Sequence, residues 1–551
     1  MKKILQLIIL LFSFQQLASA QFKVLAEGPA FNEPEEGFGR LLLLKNGGTV
    51  LTHIHREQKE GIEVQIYNKE HVQTAIKHIV ARPGGNYDHE SVNNIFEING
   101  DLTILITALI EKKPTLFRMI VNATTGELTK MEKIAEAGKQ KIDRNHPLRN
   151  PFLVRKDPLN DYYAVAISHD KDETWSDERI EVVLYNSRHA EISRARYAAA
   201  DNKYSLLQLH DLVVYNGGTV GLLGYGDYHN DATNRREGHL VLMKLEKNEH
   251  TLMLTEPGIM KGHQIDGGII RHNPVTGKLI LLGCALVNDE PAPKTKKKAG
   301  ELEVIRKQYL AFAAFANPTA MNIEKTFDVF PTEASERSKK LYKCNCHYHG
   351  MPQNLFLNAD GGFSIVYEDL FAEHYIAPKV GTANQMGDLN EVMLRDVAVS
   401  TFDRDGVIKT STLIPKEHRL EPSWLENFYH SRRDNTGNEL LGGLQFKSFS
   451  YLNSGNKNYI LLNDTERNID ELKVGKKIPI IGVGKCDAFY YPVDGKNTLP
   501  DRQYLFENEK RNYKLAAFTI SDYDQVNNIY VTMQIETKTR GKNTKIIWLR
   551  P

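Results

Sequence analysis

The stretch Gly39–Asn68, GRLLLLKNGGTVLTHIHREQKEGIEVQIYN, holds the pattern that decides the fold. An apolar run at Leu41–Leu44 meets the tight turn Asn46-Gly47-Gly48, and a second apolar run follows at Thr49–Ile54. Asn-Gly readily adopts the positive φ angles that a two-residue hairpin needs, so the pattern predicts a β-hairpin. After a polar loop, the alternation of apolar and polar residues at Ile62–Tyr67 predicts a further strand.

The same unit recurs along the chain, each time around a turn rich in Asn, Asp, Gly or Pro. The first hairpins turn at Asn46-Gly47, Asn99-Gly100, Pro158–Asp161, Asn216–Gly218, Asn273–Gly277, Asp360–Gly362 and Asn453–Gly455. A second hairpin follows each, at Glu63–Ile76, Leu116–Leu128, Ile180–Ile192, His239–Leu252, Tyr309–Thr326, Asp396–Thr412 and Lys514–Met533. Four strands in each of seven units predict an all-β fold, a single β-propeller of seven four-stranded blades.

Two alternatives to this architecture stay open. Six or eight blades are possible counts, because units six and seven carry long inserts. A two-domain β-sandwich protein is the alternative fold, but radial closure of a propeller leaves only short strand edges in so long an all-β chain. The terminal segments Phe22–Leu25 and Lys545–Leu549 are predicted to be strands that close the ring.

The N-terminus predicts export. Lys2 and Lys3 precede the apolar stretch Ile4–Phe14 and the small-residue sequence Ala18-Ser19-Ala20, which together are typical of a bacterial signal peptide over residues 1–20. The apolar stretch is too short to span a bilayer, and no later stretch is long enough. We expect residues 21–551 to form the propeller domain of a monomeric periplasmic or secreted protein without a membrane span.

The long loops predict which face of the propeller carries function. Loops after the second and fourth strands of a blade emerge on one face, which we call the elaborated face, and the tight turns emerge on the other, the turn face. The predicted inserts lie near residues 285–306, 333–351, 368–390, 415–442 and 463–511, at those two loop positions. Loops on a rigid scaffold commonly carry binding and catalytic residues.

The charge balance excludes one class of partner. Without Lys2 and Lys3 the 70 basic residues fall to 68, against 69 acidic residues. Proteins that bind nucleic acid through its phosphates need an excess of basic charge. No nucleic-acid partner is therefore expected.

Histidine recurs at a fixed distance before the inner strands. The spacings are His89-x3-Asn93, His146-x3-Asn150 and His349-x3-Gln353, with His263 and Asp266 as a looser version. Because inner strands line the channel of a propeller, their starts are expected to meet at its mouth on the elaborated face. We predict a catalytic set of His89, His146 and His263, with Arg40 and Arg149 as carboxylate anchors. The alternative is that polar loops simply contain histidine.

The densest cluster of metal-binding residue types is Cys344-Asn345-Cys346-His347-Tyr348-His349. His347 and His349 lie on one side of an extended segment, so a divalent metal held by His347, His349 and Gln353 is the predicted metal site. The Cys-x-Cys-His-x-His spacing does not suit a zinc finger. In an exported protein cysteine more often forms a disulfide, and we predict one between Cys486 and either Cys344 or Cys346, with Cys284 a buried thiol.

One stretch resembles a known family. Ser168-His-Asp170-Lys-Asp172-Glu-Thr174-Trp175 is similar to the Asp-box of sialidases, Ser-x-Asp-x-Gly-x-Thr-Trp, with Asp172 in the place of the glycine. Here it falls between the second and third strands, whereas the family's box lies between the third and fourth. Phe38-Gly39-Arg40 also looks like the sialidase start, where an arginine binds the substrate carboxylate. The resemblance implies a propeller and an acidic sugar as ligand.

Two functions from different classes follow. The first is an exported propeller that binds or cleaves an acidic glycan at the channel mouth, as a hydrolase or a metal-assisted lyase. The second is a non-catalytic propeller that binds a protein or a cell-surface component through its long inserts. Whether the protein is an enzyme stays open at this point, because no local catalytic motif is present.

Overall fold

The structure is a computed structural model. It describes residues 22–56, 60–80, 83, 86–140, 150–169, 178–198, 203–230, 235–260, 263–286, 303–305, 309–343, 348, 350–378, 386–420, 438–441, 443–455, 457–493, 501–508, 512–538 and 541–551.

The described strands form eight antiparallel sheets, which are the blades of one β-propeller. The predicted all-β propeller is confirmed, and the predicted count of seven blades is wrong. The chain begins with β1 (Lys23–Glu27), which belongs to the last blade. Blades 1 and 2 comprise β2 (Glu36–Leu43), β3 (Thr49–Ile54), β4 (Ile62–Tyr67) and β5 (Gln73–Ile79), then β6 (Asn86–Ile98), β7 (Asp101–Ile110), β8 (Lys113–Val121) and β9 (Leu128–Glu136).

Blades 3, 4 and 5 repeat this meander. They comprise β10 (Phe152–Lys156), β11 (Tyr163–Ser168), β12 (Glu178–Tyr185) and β13 (Glu191–Ala198); β14 (Leu206–Tyr215), β15 (Thr219–Asn230), β16 (Arg235–Leu245) and β17 (Met253–Thr255); and β18 (Gln264–His272), β19 (Leu279–Leu286), β21 (Tyr309–Ala316) and β22 (Ile323–Phe327). The intervening β20 (Glu303–Ile305) leaves blade 5 and pairs with blade 6.

Blades 6, 7 and 8 complete the ring. They comprise β23 (Met351–Leu357), β24 (Phe363–Pro378), β25 (Met386–Phe402) and β26 (Ile408–Ile414); β29 (Ser450–Ser454), β30 (Lys457–Asp464), β31 (Asp487–Val493) and β32 (Gln503–Tyr504); and β33 (Tyr513–Ala516), β34 (Asp522–Asp524), β35 (Ile529–Lys538) and β36 (Gly541–Arg550). Between blades 6 and 7 lie β27 (His418–Leu420) and β28 (Asn438–Leu441). The two helices in the described residues are α1 (Thr332–Tyr342) and α2 (Asn468–Lys473), both within predicted inserts.

The missed blade arises from residues that were assigned to one long insert. Asp487–Val493 is the third strand of blade 7, and its partner Gln503–Tyr504 is only two residues long. The predicted second hairpin of unit seven, Lys514–Met533, instead begins blade 8. The error follows from length, because a two-residue strand leaves no alternation of apolar and polar residues to detect.

Blade 8 is closed by the N-terminus, as predicted. β1 pairs with β36 in the register Lys23↔Arg550 to Glu27↔Ile547. The outermost strand of the last blade therefore comes from the start of the chain, and this pairing joins the two ends of the ring. We call it the outer clasp.

The tight turns form as their residues predict. Leu44 N donates to Gly48 O over 2.8 Å, and Gly47 has a φ of +85°. Asn99 and Gly100 have φ angles of +51° and +84°, the combination that a two-residue Asn-Gly hairpin requires. These turns set the register of the first two strands in blades 1 and 2.

The core lies between neighbouring blades. One buried cluster joins Ala166 and Val182 of blade 3 to Leu212 and Val220 of blade 4. Alternate residues of each strand face the preceding and the following blade, so most strands are apolar on both faces. Stability therefore depends on the ring as a whole, because no blade buries its faces alone.

Hydrogen bonds that use a side chain cross each of the eight junctions between neighbouring blades. They run from Lys45 N to Glu97, Asn99 N to Asp161, Gly217 N to Asp157, Ile270 N to Asp211, Asn273 Nδ2 to Gly361 O, Asn453 Nδ2 to Asn358, Ser454 Oγ to Asn528 and Leu43 N to Asp522. The Asn and Asp residues near the turns thus have a second role, since many of them also join blades.

The predicted disulfide is wrong. Cys486 is a free, buried thiol packed in an apolar cluster with Leu440, Phe446 and Ile480. Burial raises the pKa of the Cys486 thiol, which disfavours the reactive thiolate. Cys284 is buried, as predicted. Cys344 and Cys346 lie outside the described residues.

Candidate functional site at the channel mouth

The innermost strands of four blades carry a β-bulge near the elaborated face. The pairing register breaks between Val92 and Asn94, Leu209 and Asp211, Ile265 and Gly267, and Pro352 and Asn354. The extra residue in each case is Asn93, His210, Asp266 or Gln353. Bulges re-aim a residue and are common beside active sites. The histidine spacings noted in the sequence therefore end, in blades 2, 5 and 6, on the bulge residue.

In blade 2 the bulge residue joins two blades. Asn93 Nδ2 donates to Asn150 Oδ1 over 3.2 Å and to Phe152 O over 3.1 Å, and Thr107 Oγ1 donates to Asn93 Oδ1 over 2.6 Å. Asn93 is buried, whereas Asn150 is exposed and donates to Ser91 Oγ over 3.1 Å. The structure thus brings together the last residues of two of the predicted spacings, with a structural role for Asn93.

In blade 6 the bulge residue is buried. Gln353 is 1 % exposed, its Nε2 donates to Met351 O over 3.2 Å, and its Oε1 has no hydrogen-bond partner in the described part of the chain. Beside it, Glu368 and Lys416 form a fully buried ion pair with 2.5 Å between Oε1 and Nζ. The unpartnered amide oxygen of Gln353 is of a type that divalent cations accept as a ligand.

In blade 4 the bulge residue is a histidine in mixed polar and aromatic surroundings. His210 is half-buried, and its ring centre lies 6.5 Å from that of Tyr225. Asp227 and Tyr228 are half-buried at the end of β15, and Tyr228 donates to Glu237 Oε2 over 3.2 Å. Partial burial and the hydrogen bond to Glu237 raise the pKa of Tyr228, so this phenol stays protonated at neutral pH. Imidazole, carboxylate and phenol groups are thus grouped in one blade.

The sequence missed His210 as a site residue. The apolar run that marked this strand begins at Leu212, whereas the strand itself begins at Leu206. The signal that could have found it is the sequence Leu209-His210-Asp211-Leu212, in which two polar residues stand side by side within an otherwise apolar stretch. A bulge produces such a pair because it shifts the alternation by one residue.

Deeper in the channel, polar side chains link four inner strands, three of them through charged groups. Asp211 of blade 4 accepts from Arg155 Nε of blade 3 over 3.1 Å and from Arg271 Nη1 of blade 5 over 2.7 Å. Arg271 Nη2 lies 3.4 Å from Asn354 Oδ1 of blade 6. Two guanidinium groups around one carboxylate give the channel wall a net positive charge here, which favours an anionic ligand.

The predicted catalytic residues fall in different places. The Arg40 side chain is 6 % exposed, and its Nη2 lies 3.2 Å from Asp522 Oδ1 of blade 8. His263 is exposed, in the connection that enters blade 5. Blades 1 and 5 are opposite each other in an eight-bladed ring, so the structure does not bring Arg40 and His263 side by side. His89 lies in β6 but its side chain is not described, and His146 and Arg149 lie outside the described residues.

The predicted metal ligands other than Gln353, which are His347 and His349, lie outside the described residues. Within the described part of the chain, no three His, Cys, Asp or Glu side chains converge in a way that would hold a metal ion. The Asp-box stretch from Asp170 to Trp175 also lies outside it. His169, at its start, is placed with Nε2 3.5 Å from Glu181 Oε2.

Two hairpins rise above the mouth. In blade 6, β24 and β25 continue past a register break at Glu368, from Leu370↔Leu394 to Pro378↔Met386. At about 3.3 Å per residue, this extension reaches roughly 25–30 Å beyond the blade, and β20 and β27 pair with its two sides. In blade 4, β15 and β16 also continue past the inner strand, to Asn230↔Arg235. The mouth above blade 5 therefore lies between two raised hairpins.

Comparison with known proteins identifies no family for this chain. No family model, that of the sialidases included, matches the chain, and no curated protein does. Similar solved structures include polysaccharide lyase Uly1 (10% identity, TM-score 0.38, covering 85% of this chain and 91% of that one). Another is a Penicillium chrysogenum α-L-arabinanase with arabinobiose (10% identity, TM-score 0.27, covering 72% of this chain and 98% of that one). A third is the WD40 domain of SCAP from fission yeast (6% identity, TM-score 0.34, covering 96% of this chain and 98% of that one). Likenesses this distant say nothing about a ligand or a reaction.

In the part of the chain that the structure describes, neither α1 nor α2 is long and apolar enough to cross a bilayer.

Proposed function

We propose that this protein is an exported, monomeric β-propeller that binds an acidic glycan at the channel mouth above blades 4 to 6 and cleaves it. The observation that carries the proposal is the run of bulges in three consecutive inner strands, at His210, Asp266 and Gln353, between two raised hairpins. Packing alone does not require polar side chains at three successive bulges. Such a mouth offers few but varied polar groups, as ligand sites commonly do.

The residue types suit acid–base chemistry on a sugar. A histidine titrates near neutral pH and can take up or release a proton, so His210 and His263 are the proposed proton-transfer groups. The positive charge of Arg155 and Arg271 attracts a carboxylated or sulfated chain towards the mouth. Hydrolysis and elimination both need a proton donor and acceptor beside the glycosidic bond, and the two reactions stay alternatives within this proposal.

A divalent metal stays part of the proposal. His347, His349 and Gln353 are the residues that would hold it, and the buried Gln353 Oε1 without a hydrogen-bond partner among described residues supports this. When bound, a metal would neutralise the charge of a substrate carboxylate. His89, His146 and Arg149 remain predicted participants, and Arg40 remains a predicted carboxylate anchor although its guanidinium group lies in blade 1 and pairs with Asp522.

The test is a screen of the purified full-length protein against acidic and neutral polysaccharides. Reducing ends report either reaction, and ultraviolet absorbance of an unsaturated product reports elimination alone. We expect product from an acidic glycan and none from neutral ones, with loss of at least tenfold in His210→Ala and none in His78→Ala, an exposed histidine on the outer strand of blade 1. Binding without product would favour the non-catalytic propeller, and no binding to any glycan would overturn the proposal.

A further inference from the structure

The segment between blades 6 and 7 sends a strand across the ring. β28 pairs with β2 in the antiparallel register Glu36↔Leu441 to Gly39↔Asn438. Because β2 is the innermost strand of blade 1, β28 lies on its channel side. The chain reaches blade 1 here although it has just left blade 6 and is about to enter blade 7.

This strand is packed as part of the core. Leu440 is fully buried, in one cluster with Leu41 of blade 1, Ile520 of blade 8 and Phe446. A Cβ placed on Gly39 would lie 3.2 Å from Leu440 Cδ1 and 3.1 Å from Ile520 Cγ2. The absence of a side chain at Gly39 thus lets Leu440 and Ile520 meet over the junction of blades 1 and 8.

The residues after β28 continue along the same seam. Residues 444–446 lie against residues 518–520 of blade 8. Phe446 O then accepts from Asn463 Nδ2 of blade 7 over 2.9 Å, and Asn463 Oδ1 accepts from Ala516 N of blade 8 over 2.9 Å. A single short segment therefore contacts blades 1, 8 and 7 in turn.

Both ends of the segment are anchored by one buried histidine. His418 Nδ1 lies 2.8 Å from Lys447 O, and His418 Nε2 lies 2.9 Å from Asn463 O. Lys447 Nζ donates to Arg419 O over 2.5 Å. The start of the connection at residue 418 is thus held to its end at residue 447, and both are held to blade 7.

We propose that residues 438–441 and 443–449 form an inner clasp that keeps the ring closed between blades 8 and 1 independently of the outer clasp. Propellers that close only through a terminal strand open when that strand detaches. Here the outer clasp joins β1 to β36 on the outside of blade 8, while the inner clasp joins blade 1 to blades 8 and 7 from the channel. Either clasp alone keeps the seam closed, and loss of both opens it.

The experiment is a double-mutant cycle followed by hydrogen exchange on the full-length protein. Ala26→Pro weakens the outer clasp because proline has no N–H to donate to the partner strand. Gly28 N donates to Ile546 O, and hydrogen-bonded positions alternate along an antiparallel pair, so the N–H of Ala26 points towards its partner Trp548. Leu440→Ala weakens the inner clasp. The matched control is Leu222→Ala, an equally buried leucine of blade 4. The amides of β2 and β34 report the seam, and those of β14 report a distant blade.

In each single variant, the hydrogen-exchange protection factors of the seam amides are expected to stay within about tenfold of wild type. In the double variant, the fold-decrease of these protection factors should exceed the product of the two single fold-decreases. Ala26→Pro with Leu222→Ala should give no such excess at the seam. Failure of the clasp double variant to fold, where the control double variant folds, counts as the same result. Effects that simply multiply, or full exchange at the seam in Leu440→Ala alone, would overturn the inference.

Discussion

Arg40 of blade 1 and Asp522 of blade 8 form an ion pair across the seam of the ring, with 3.2 Å between Nη2 and Oδ1. The second oxygen of Asp522 accepts from Leu43 N over 2.8 Å, so one carboxylate bridges two groups of blade 1. Arg40 was predicted to anchor the carboxylate of a ligand. In the structure the carboxylate it holds belongs to its own chain.

Replacing Asp522 by Ala should destabilise the protein by about 3 kcal/mol, because it leaves the buried Arg40 guanidinium without its counter-charge. Urea unfolding monitored by tryptophan fluorescence measures the change. Glu35→Gln is the matched control, since Glu35 pairs with Lys542 across the same seam but is 72 % exposed, and a shift below about 1 kcal/mol is expected. Equal effects of the two variants would mean that the Arg40–Asp522 pair does not hold the seam.

The fold was predictable where each strand is long enough to show alternation. The first two strands and the turn of blades 1 to 7 follow from patterns such as Leu41–Leu44, Asn46-Gly47 and Thr49–Ile54. Blade 8 was not predictable in the same way. The closing strands at its outer edge were predicted, but its inner edge is split into the short strands β33 and β34, and the last strand of blade 7 before it is only two residues long. Strands this short leave no alternation of apolar and polar residues to detect.

The candidate site was predictable only in part. The histidine spacings identified Asn93 and Gln353, but they did not reveal that both are bulge residues. A bulge is defined by how a strand pairs with its neighbour, so the sequence of one strand alone does not show it. His210 was missed for the same reason. The strand β28 was also beyond prediction, since Asn438–Leu441 is four residues long and pairs with a strand about four hundred positions earlier in the chain.

The buried pair of Lys416 and Glu368 allows a second test of electrostatics. Both side chains are 0 % exposed. Glu368→Gln should cost about 3–5 kcal/mol of unfolding free energy because it leaves Lys416 charged and buried, and Lys416→Met should cost a similar amount. The double variant should be more stable than the sum of the two effects predicts. A double variant whose loss equals that sum would show that the two side chains act independently.

Glu181 should make stability depend on acid pH. Burial alone would raise its pKa, but the nearby His169, Arg194 and Arg196 outweigh burial and hold the pKa below its ordinary value of 4.5. The stabilising contribution is therefore present above pH 4.5 and is lost as the pH falls through the lowered pKa of the folded state. Urea unfolding at pH 7 and at lower pH measures how much unfolding free energy is lost on acidification. This loss should be smaller in Glu181→Gln than in wild type. Parallel losses in the two proteins would contradict this.

The last prediction separates structural from ligand-binding roles within the recurring histidine motif. Asn93 is 6 % exposed, and its side chain makes one hydrogen bond within blade 2 and two to Asn150 and Phe152 at the start of blade 3. Asn93→Ala should therefore lower the unfolding free energy by about 2 kcal/mol. His263 is exposed, and the hydrogen bond to Met260 O is made by its backbone N–H, so His263→Ala should change stability by less than about 0.5 kcal/mol. Glycan cleavage should respond in the opposite order, with a loss of at least tenfold in His263→Ala because its exposed imidazole is a proposed proton-transfer group. Asn93→Ala, measured well below its unfolding temperature, should keep cleavage close to wild type.

If His263→Ala instead destabilised the fold and left cleavage unchanged, His263 would be an ordinary loop residue. The proton-transfer role would then have to lie with His210 or with the histidines His89 and His146.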